Sequence, residues 1–553
     1  MSKCSVSSVR PINPIRLALI AATSLIVYSM AVAQPMVPGK PYEGLPEKLG
    51  TVEFPISCNA AAQTQFTRGI ALYHSYHWIE ARKAFAATAQ ADASCAMAPW
   101  GQAIVEIGNA FTWPLRGKAL AEGWQAVQRA KALGPKTSRE RDYVAAVEAF
   151  FADADKVPAR TRQLAYELAL EKMTRDYPRD MEAIIFHAHV MSANFDPSDK
   201  KYTNQLKAAD VLERLYVTLP DHPGVAHYLI HTYDFPALAE RGLKAAQRHR
   251  TIAASAPHAL HMPSHTFTRL GYWQDSLSSN LAVLKLQPDI VNRLHSLDYM
   301  VYAYLQLGQD RAAHQVLADL RASQSRIEGD TLFAAAFALA AIPARLATER
   351  GEWAEAAKLP LTPDEVAFGW QQFPHAQAVL VYARGLGAAR TGDAAGARRE
   401  IATLNRLKQA MLDGGLRYWA DQADIQIKAV EAWALRAEGK SDEALKMMRA
   451  AADHEDATDK AAVTPGPIKP AREMLGEMLA EARQPAAAVV EFEVAMSKEP
   501  GRMRAALGAA QAAAAAGDRD RARAHYARVA KLFEAADADH PELRRVKAQL
   551  APS

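Results

Sequence analysis

The chain has 553 residues, half of them hydrophobic and 23% charged, with a formal net charge of +4. That length exceeds what one compact core needs, and the alanine-rich composition suits an all-α protein of closely packed helices. So small a net charge gives no sign of a nucleic-acid or acidic-surface partner.

The first stretch has a basic start, an apolar run from Leu17 to Ala33 and Ala31-Val32-Ala33 ahead of Gln34. This predicts a secretory signal peptide over 1–33 with an A-x-A cleavage site, and hence a periplasmic location. Its basic residues Lys3, Arg10 and Arg16 have no acid among them, so cleavage removes most of the net charge. The apolar run approaches the lower limit for a membrane span, which leaves an uncleaved anchor as the alternative. No later segment is long and apolar enough to cross a membrane, so the mature chain is expected to lack a span. Cys4 precedes the apolar run and is not placed as a lipoprotein cysteine. Cys58 and Cys95 remain, and an even pair in an exported protein predicts a disulfide. Closing that loop contributes roughly 4 kcal/mol by chain entropy; two buried free thiols are the alternative.

Residues 34–57 are rich in Pro and Gly and read as an extended segment. From 58 onward, helix pairs recur, each marked by a small residue and, 12 and 16 positions later, a small and a large apolar one. Gly69, Ala81 and Phe85 form one such set. Leu475, Gly476, Ala488, Phe492, Ala495 and Pro500 form the clearest, and Ala510, Ala522, Tyr526 and Val529 repeat it 34 residues on. Gly385, Gly392, Ala397 and Ile401 mark another, as do Gly439, Ala444 and Met448. These patterns divide the chain into a helical solenoid over 58–453, a Pro-rich loop over 454–470, a terminal repeat pair over 471–540 and a tail over 541–553. The loop and the polar insertion at 194–204 are expected at the surface.

With those markers and that period the chain resembles the tetratricopeptide repeat (TPR) superfamily, in patches over most of its mature length. The resemblance implies a right-handed solenoid of antiparallel helix pairs with a concave groove lined by the first helix of each pair. The strings CAMAPWG, HPGVAHYLIHTYD, PHALHMPSHTFTRLGYW and VTPGPIKPAREMLGEML are more narrowly similar to a group of exported bacterial TPR proteins. That group is distantly similar to the tetratricopeptide repeat protein 38 group, and no activity follows from it. The group's pattern near Lys460 to Val463 includes a histidine where this chain has Ala461-Ala462, so no role for that loop carries over.

The chemistry concentrates between Pro223 and Tyr304. His227 and His231 form one H-x-x-x-H pair, and His261 and His265 form a second 34 residues later. A spacing of four places two side chains on one helix face, so the pairs should stack in register. Allowing a short insertion, the next repeat puts Asp298 at the position of His227 and His261, and Tyr302 at that of His231 and His265. One turn earlier, Gly224, His258 and His295 correspond. In TPR proteins these positions face the groove, so the resemblance places six histidines, Asp298 and Tyr302 on one groove wall.

Neutral imidazoles facing one another need something between them, and charged ones repel, so a divalent transition metal is the natural occupant. The ligand set is His227, His231, His261 and His265, with Asp298 or His258 as further ligands. Its N,O character suits Zn, Cu, Fe or Mn, and without cysteine it does not read as a structural zinc site. In an enzyme, Asp298, His295, Tyr302 and Arg269 become the catalytic candidates of a metal-dependent hydrolase or oxidase/oxygenase. Asp298 and His295 are candidate bases, Tyr302 a donor, and Arg269, which follows along the same wall with Asp234, an anchor for an anionic substrate; its plainer role is an ion pair with a nearby acid. Tyr228 and Met262 stand where a zincin needs Glu.

Pro263 either kinks a helix that begins near Pro257 or starts a new one. His74, His77, His187, His189 and His249 read as satisfied polar residues, His187 alone matching the groove position one repeat earlier. Ser198 and Lys201 match S-x-x-K inside the insertion, a coincidence. There is no Walker loop, G-x-S-x-G, dinucleotide fingerprint or basic-aromatic stripe. The second functional class is a metal-free scaffold holding a peptide, partner protein or small molecule in the groove.

Overall fold

A computed structural model describes residues 47–551, apart from 116, 325–326, 328–331, 364–367 and 461–463. Residues from Pro46 onward form one compact unit. The expected signal peptide, its cleavage site and Ala461-Ala462-Val463 lie outside the described residues.

Helices follow one another in antiparallel pairs: α1 (Ala60–His74) and α2 (Trp78–Ala91), α3 (Met97–Ile107) and α4 (Lys118–Leu133), α5 (Ser138–Phe151) and α6 (Ala159–Asp176). Next come α7 (Met181–Ala193) and α8 (Thr203–Thr218), then α9 (Pro223–Thr232) and α10 (Ala239–Ile252). The middle of the chain has α11 (Pro257–His261), α12 (Pro263–Arg269), α13 (Trp273–Lys285), α14 (Ile290–Gln306) and α15 (Asp310–Ser323). Then follow α16 (Leu332–Arg350), α17 (Trp353–Ala356), α18 (Pro374–Arg390), α19 (Ala394–Asp413), α20 (Arg417–Ala437) and α21 (Ser441–Asp456). The last are α22 (Ala471–Glu481), α23 (Pro485–Lys498), α24 (Met503–Ala515), α25 (Arg519–Leu532) and α26 (Pro541–Leu550). Most helices pack on the one before and the one after, the nearest-neighbour stacking of a TPR solenoid.

The small marker residues have a direct physical reason. A Cβ on Gly69 or Gly101 would lie 2.6 or 2.3 Å from the Phe85 ring, and one on Gly476 or Gly508 2.9 or 2.5 Å from the Phe492 ring. In each case one aromatic on the second helix of a pair wedges between the first helices of its own repeat and the next. Sharp starts come from local caps, among them the Thr137/Glu140 capping box of α5 and the Asp289 side chain at the head of α14.

The buried apolar residues form one large cluster before Met262 and another after Trp273, with a smaller one beside α9 and α12. The chain also returns on itself. α1 packs against α9, and the extended segment at 47–57 lies alongside, its Thr51 N–H donating to the Asp221 carbonyl at 3.0 Å. At the other end Trp273 Nε1 donates to the Gly501 carbonyl at 2.8 Å, and Asp537 N–H to that of Gly308 at 3.0 Å. Gly271 has φ +71°, and a Cβ there would sit 2.5 Å from the Pro500 carbonyl oxygen, so only glycine permits this closure.

Cys58 and Cys95 form the expected disulfide, and the insertion at 194–204 is largely exposed. Two expectations need correction. The described part of the Pro-rich loop at 464–470 is buried rather than superficial: Thr464, Ile468 and Lys469 are 6%, 5% and 2% exposed. Arg345 donates to the carbonyls of Gly466 and Pro467, Tyr382 Oη donates to that of Lys469, and the Lys469 ammonium lies against Glu473 and Glu477. Side chains of other helices meet the loop's polar groups, which its composition alone does not reveal. The supposed tail forms α26, which packs on α25 through buried Val546. Among the described residues no helix is long and apolar enough to cross a membrane.

Candidate metal centre

Four helical segments, α9, α11, α12 and α14, carry the six histidines. α9 begins with His222 as cap and Pro223 at its first position, and it carries His227 and His231. α11 and α12 make one kinked helix, with Met262 between them at φ −51° and ψ −38°. The helix therefore begins at Pro257, and Pro263 breaks it between His261 and His265 without separating them. Their ring centroids lie 5.0 Å apart, against 4.9 Å for His227 and His231 on unbroken α9. α14 supplies His295 from its second turn.

These residues assemble into two triads rather than one row. His227, His231 and His258 each offer one ligand atom, all within 4.8 Å of one another, and His261, His265 and His295 do the same. Each triad takes the H-x-x-x-H pair of one repeat and the histidine one turn earlier in the next. The register across neighbouring first helices therefore runs obliquely.

In the first triad His227 Nδ1 donates to the His74 carbonyl at 2.6 Å. The Nε2 atoms of His227, His231 and His258 are all buried and have no hydrogen-bond partner. Tyr76 lies against all three rings, at centroid distances of 4.4, 5.6 and 5.1 Å. It follows α1 with φ +52°, a left-handed conformation uncommon outside glycine, and its hydroxyl is tied to Asn109 and His189.

The second triad is oriented from behind. Asn280 donates its amide N–H to the Ser276 carbonyl at 2.9 Å, which turns its Oδ1 toward His261 Nδ1 at 2.7 Å. An amide oxygen only accepts, so His261 carries its proton on Nδ1. His265 Nδ1 likewise donates to Asp234 Oδ2 at 3.0 Å. Both Nε2 atoms then carry lone pairs and face each other 3.0 Å apart, with the Tyr299 hydroxyl 3.4 Å from that of His265. Tyr299 covers the three rings at 4.7, 5.0 and 5.2 Å, the counterpart of Tyr76.

No family model matches the chain, and no curated protein does. Several solved structures overlay on it. One contains Naa15/Naa10 bound to HypK-THB: 13% identity over 88% of this chain and 74% of that one, TM-score 0.24. Yeast Tom70 gives 13% identity, 88% and 94% coverage and a TM-score of 0.28. The Cut9–Hcn1 heterotetramer of APC/C gives 11%, 82% and 76%, and 0.34. Overlays this loose carry no argument about function; the fold assignment rests on the repeat geometry itself.

Charge confirms how the histidines sit. Burial, reinforced by the neighbouring rings, holds His227, His231, His258 and His261 well below the usual imidazole range. His295 is lowered to about 3, chiefly by burial. All are neutral near pH 7, the form that ligates metal. Asp234 is the anionic anchor. Its own burial would raise its pKa, yet Lys460, Arg269 and His265 hold it well below the carboxylate range. Arg269 Nε and Lys460 Nζ lie 2.9 and 3.1 Å from it, so Arg269 takes the ion-pair role and sits one residue removed from the triad.

Asp298 and Tyr302 share the repeat positions of the ligands but face elsewhere. Asp298 lies 3.6 Å from Arg345, both fully buried, and burial pushes its carboxyl up to about 6. The Tyr302 hydroxyl is 3.0 Å from an Arg502 nitrogen and 3.4 Å from Glu499. Beyond Arg269 and Lys460 lies a cavity of about 510 Å³ bordered by Tyr202, Trp419 and Glu499. His187 joins neither triad, whereas His249 stacks on His227 at 5.4 Å. Tyr76, Tyr299 and Asn280 were not legible as site residues: two come from other faces or repeats, and Tyr299 lies one position off the histidine register.

Proposed function

We propose that the chain is an exported metalloprotein whose histidine wall holds a transition metal with an open coordination position. The observation that carries this reading is the pair of facing lone pairs on His261 and His265. Their Nδ1 protons are committed to Asn280 and Asp234, and their Nε2 atoms stand 3.0 Å apart. Without a cation this contact is repulsive, and protonating one ring is opposed by burial. Two nitrogens about 2.0–2.1 Å from a shared ion stand close to this separation. Oxygen acceptors behind metal-bound imidazoles are the usual outer support of such sites. Three protein nitrogens leave a position for water or substrate, the pattern of catalytic rather than structural sites.

His258 and His295 are partly exposed and give that position a way out to solvent. The stretch of groove at Gly466 to Lys469 is filled by the chain's own loop, which argues against a long peptide lying there. The test is elemental analysis of tag-free protein recovered from the periplasm, beside a folded H261A/H265A variant. Stoichiometric metal in the wild type and less in the variant supports the reading. A wild type that is metal-free and takes up none of Zn, Cu, Fe or Mn overturns it.

A further inference from the structure

The two triads are copies of one design. Each has an i, i+4 pair, a partly exposed histidine from the following repeat and a tyrosine across all three rings. They also touch. His231 and His265 lie 5.8 Å apart between ring centroids, as do His258 and His261. Rings within the triads are separated by 4.3 to 6.3 Å, so the boundary between the triads is no wider than the spacing inside them.

The donor set is all nitrogen. The nearest carboxylate, Asp234, is spent on the back of His265, and Asp298 is held by Arg345. Six neutral imidazoles with no anionic ligand suit copper, as they do zinc, iron or nickel, and disfavour manganese, magnesium and calcium, which favour carboxylate oxygens.

Resting on the metal reading above, we propose that the six histidines form one dinuclear copper centre, three imidazoles to each ion, which binds dioxygen between the two ions. The step balances within the site: each of two Cu(I) ions gives one electron, and O₂ becomes a bridging peroxide between two Cu(II) ions. No proton moves, and no other bond breaks. The O–O bond order falls from two to one as two Cu–O contacts form. Tyr76 and Tyr299 lie across the rings, and His258 and His295 are the partly exposed members of the two triads.

The experiment loads the metal-free full-length mature chain with Cu(I) under anaerobic conditions, counts copper per chain, then admits O₂. The wild type should bind two coppers and develop an intense near-ultraviolet charge-transfer band while remaining silent in electron paramagnetic resonance. H227A/H231A and H261A/H265A should each bind one copper and lose the band. H258Q and H295Q, at partly exposed positions, repeat the comparison with less risk to folding. One copper per wild-type chain overturns the dinuclear centre, as do two coppers giving separate Cu(II) resonances, and either result leaves the metal reading standing. A wild type that takes up two coppers but no dioxygen overturns the oxygen step alone. Failure to take up copper, zinc, iron or manganese overturns both readings.

Discussion

Two three-residue clusters in this protein have the same reach and opposite character. His74, Glu182 and His222 bring their ligand atoms within 4.8 Å of one another, as His227, His231 and His258 do, and α9 and its cap contribute to both. In the first, Glu182 accepts from His74 Nε2 at 2.8 Å and from His222 Nε2 at 2.9 Å. His74 Nδ1 meets the Tyr228 hydroxyl at 2.9 Å, and His222 Nδ1 accepts from Val225 N–H. In the second, the three Nε2 atoms are buried and none has a partner. Proximity of ligating residues is therefore not itself a site. What distinguishes the second cluster is that its chemistry is unfinished, because buried polar atoms without partners are costly to keep.

The comparison breaks most visibly at Glu182. Replacing it with Ala leaves two buried histidines without their anion and is expected to cost about 3–5 kcal/mol, read as a lower denaturation midpoint, with metal content unchanged. If the metal is instead lost, the two clusters are not independent. Acid should act on the same cluster. The two histidines hold Glu182 at about 2 despite burial, below the ordinary 4.5. Its contribution is complete above the unfolded value and is lost as pH falls through the folded one, about 3 kcal/mol in all. Urea titrations between those limits should show the slope in the wild type and a flatter one in E182Q.

Metal loading is expected to add about 2.7 kcal/mol at a hundredfold excess over the dissociation constant. A chelator should remove that increment in the wild type, and H231A should show little of it. Smallest is the effect of H231N on the metal-free protein. Since Nε2 of His231 has no partner to lose, its midpoint should move by about 1 kcal/mol or less, well short of E182A. A large loss would show that His231 is structural in the manner of His74.

The repeat architecture was legible because its cause is local. A phenylalanine wedged between helices demands small residues at fixed offsets, and Gly69, Phe85, Gly476 and Phe492 show it in the bare sequence. The six histidines were legible for the same reason, including His258 and His295 one turn ahead of the pairs. Their grouping was not. Reading equivalent positions straight across the repeats joins His261 to Asp298, but the oblique register of the helices joins it to His295 and sends Asp298 to Arg345 on α16. The support behind the rings, Asn280 and Asp234, depends on which way a side chain turns, and spacing does not carry that. The segment at 464–469 looked superficial because Pro, Gly and Lys usually are; two distant side chains, Arg345 and Tyr382, and the nearby Glu473 make its burial tolerable.

The return of the last repeats to Gly271 and Gly308 bears on how this molecule comes apart. An open solenoid frays from its ends, one repeat at a time. Here the terminal repeats are clasped to the middle through Trp273 and Asp537, and the first helix is clasped to α9. Fraying of either terminus has to release the helices around the histidines as well. Trimming the chain from its carboxyl end would thus not yield a shorter working solenoid, but would unlatch the frame around its centre.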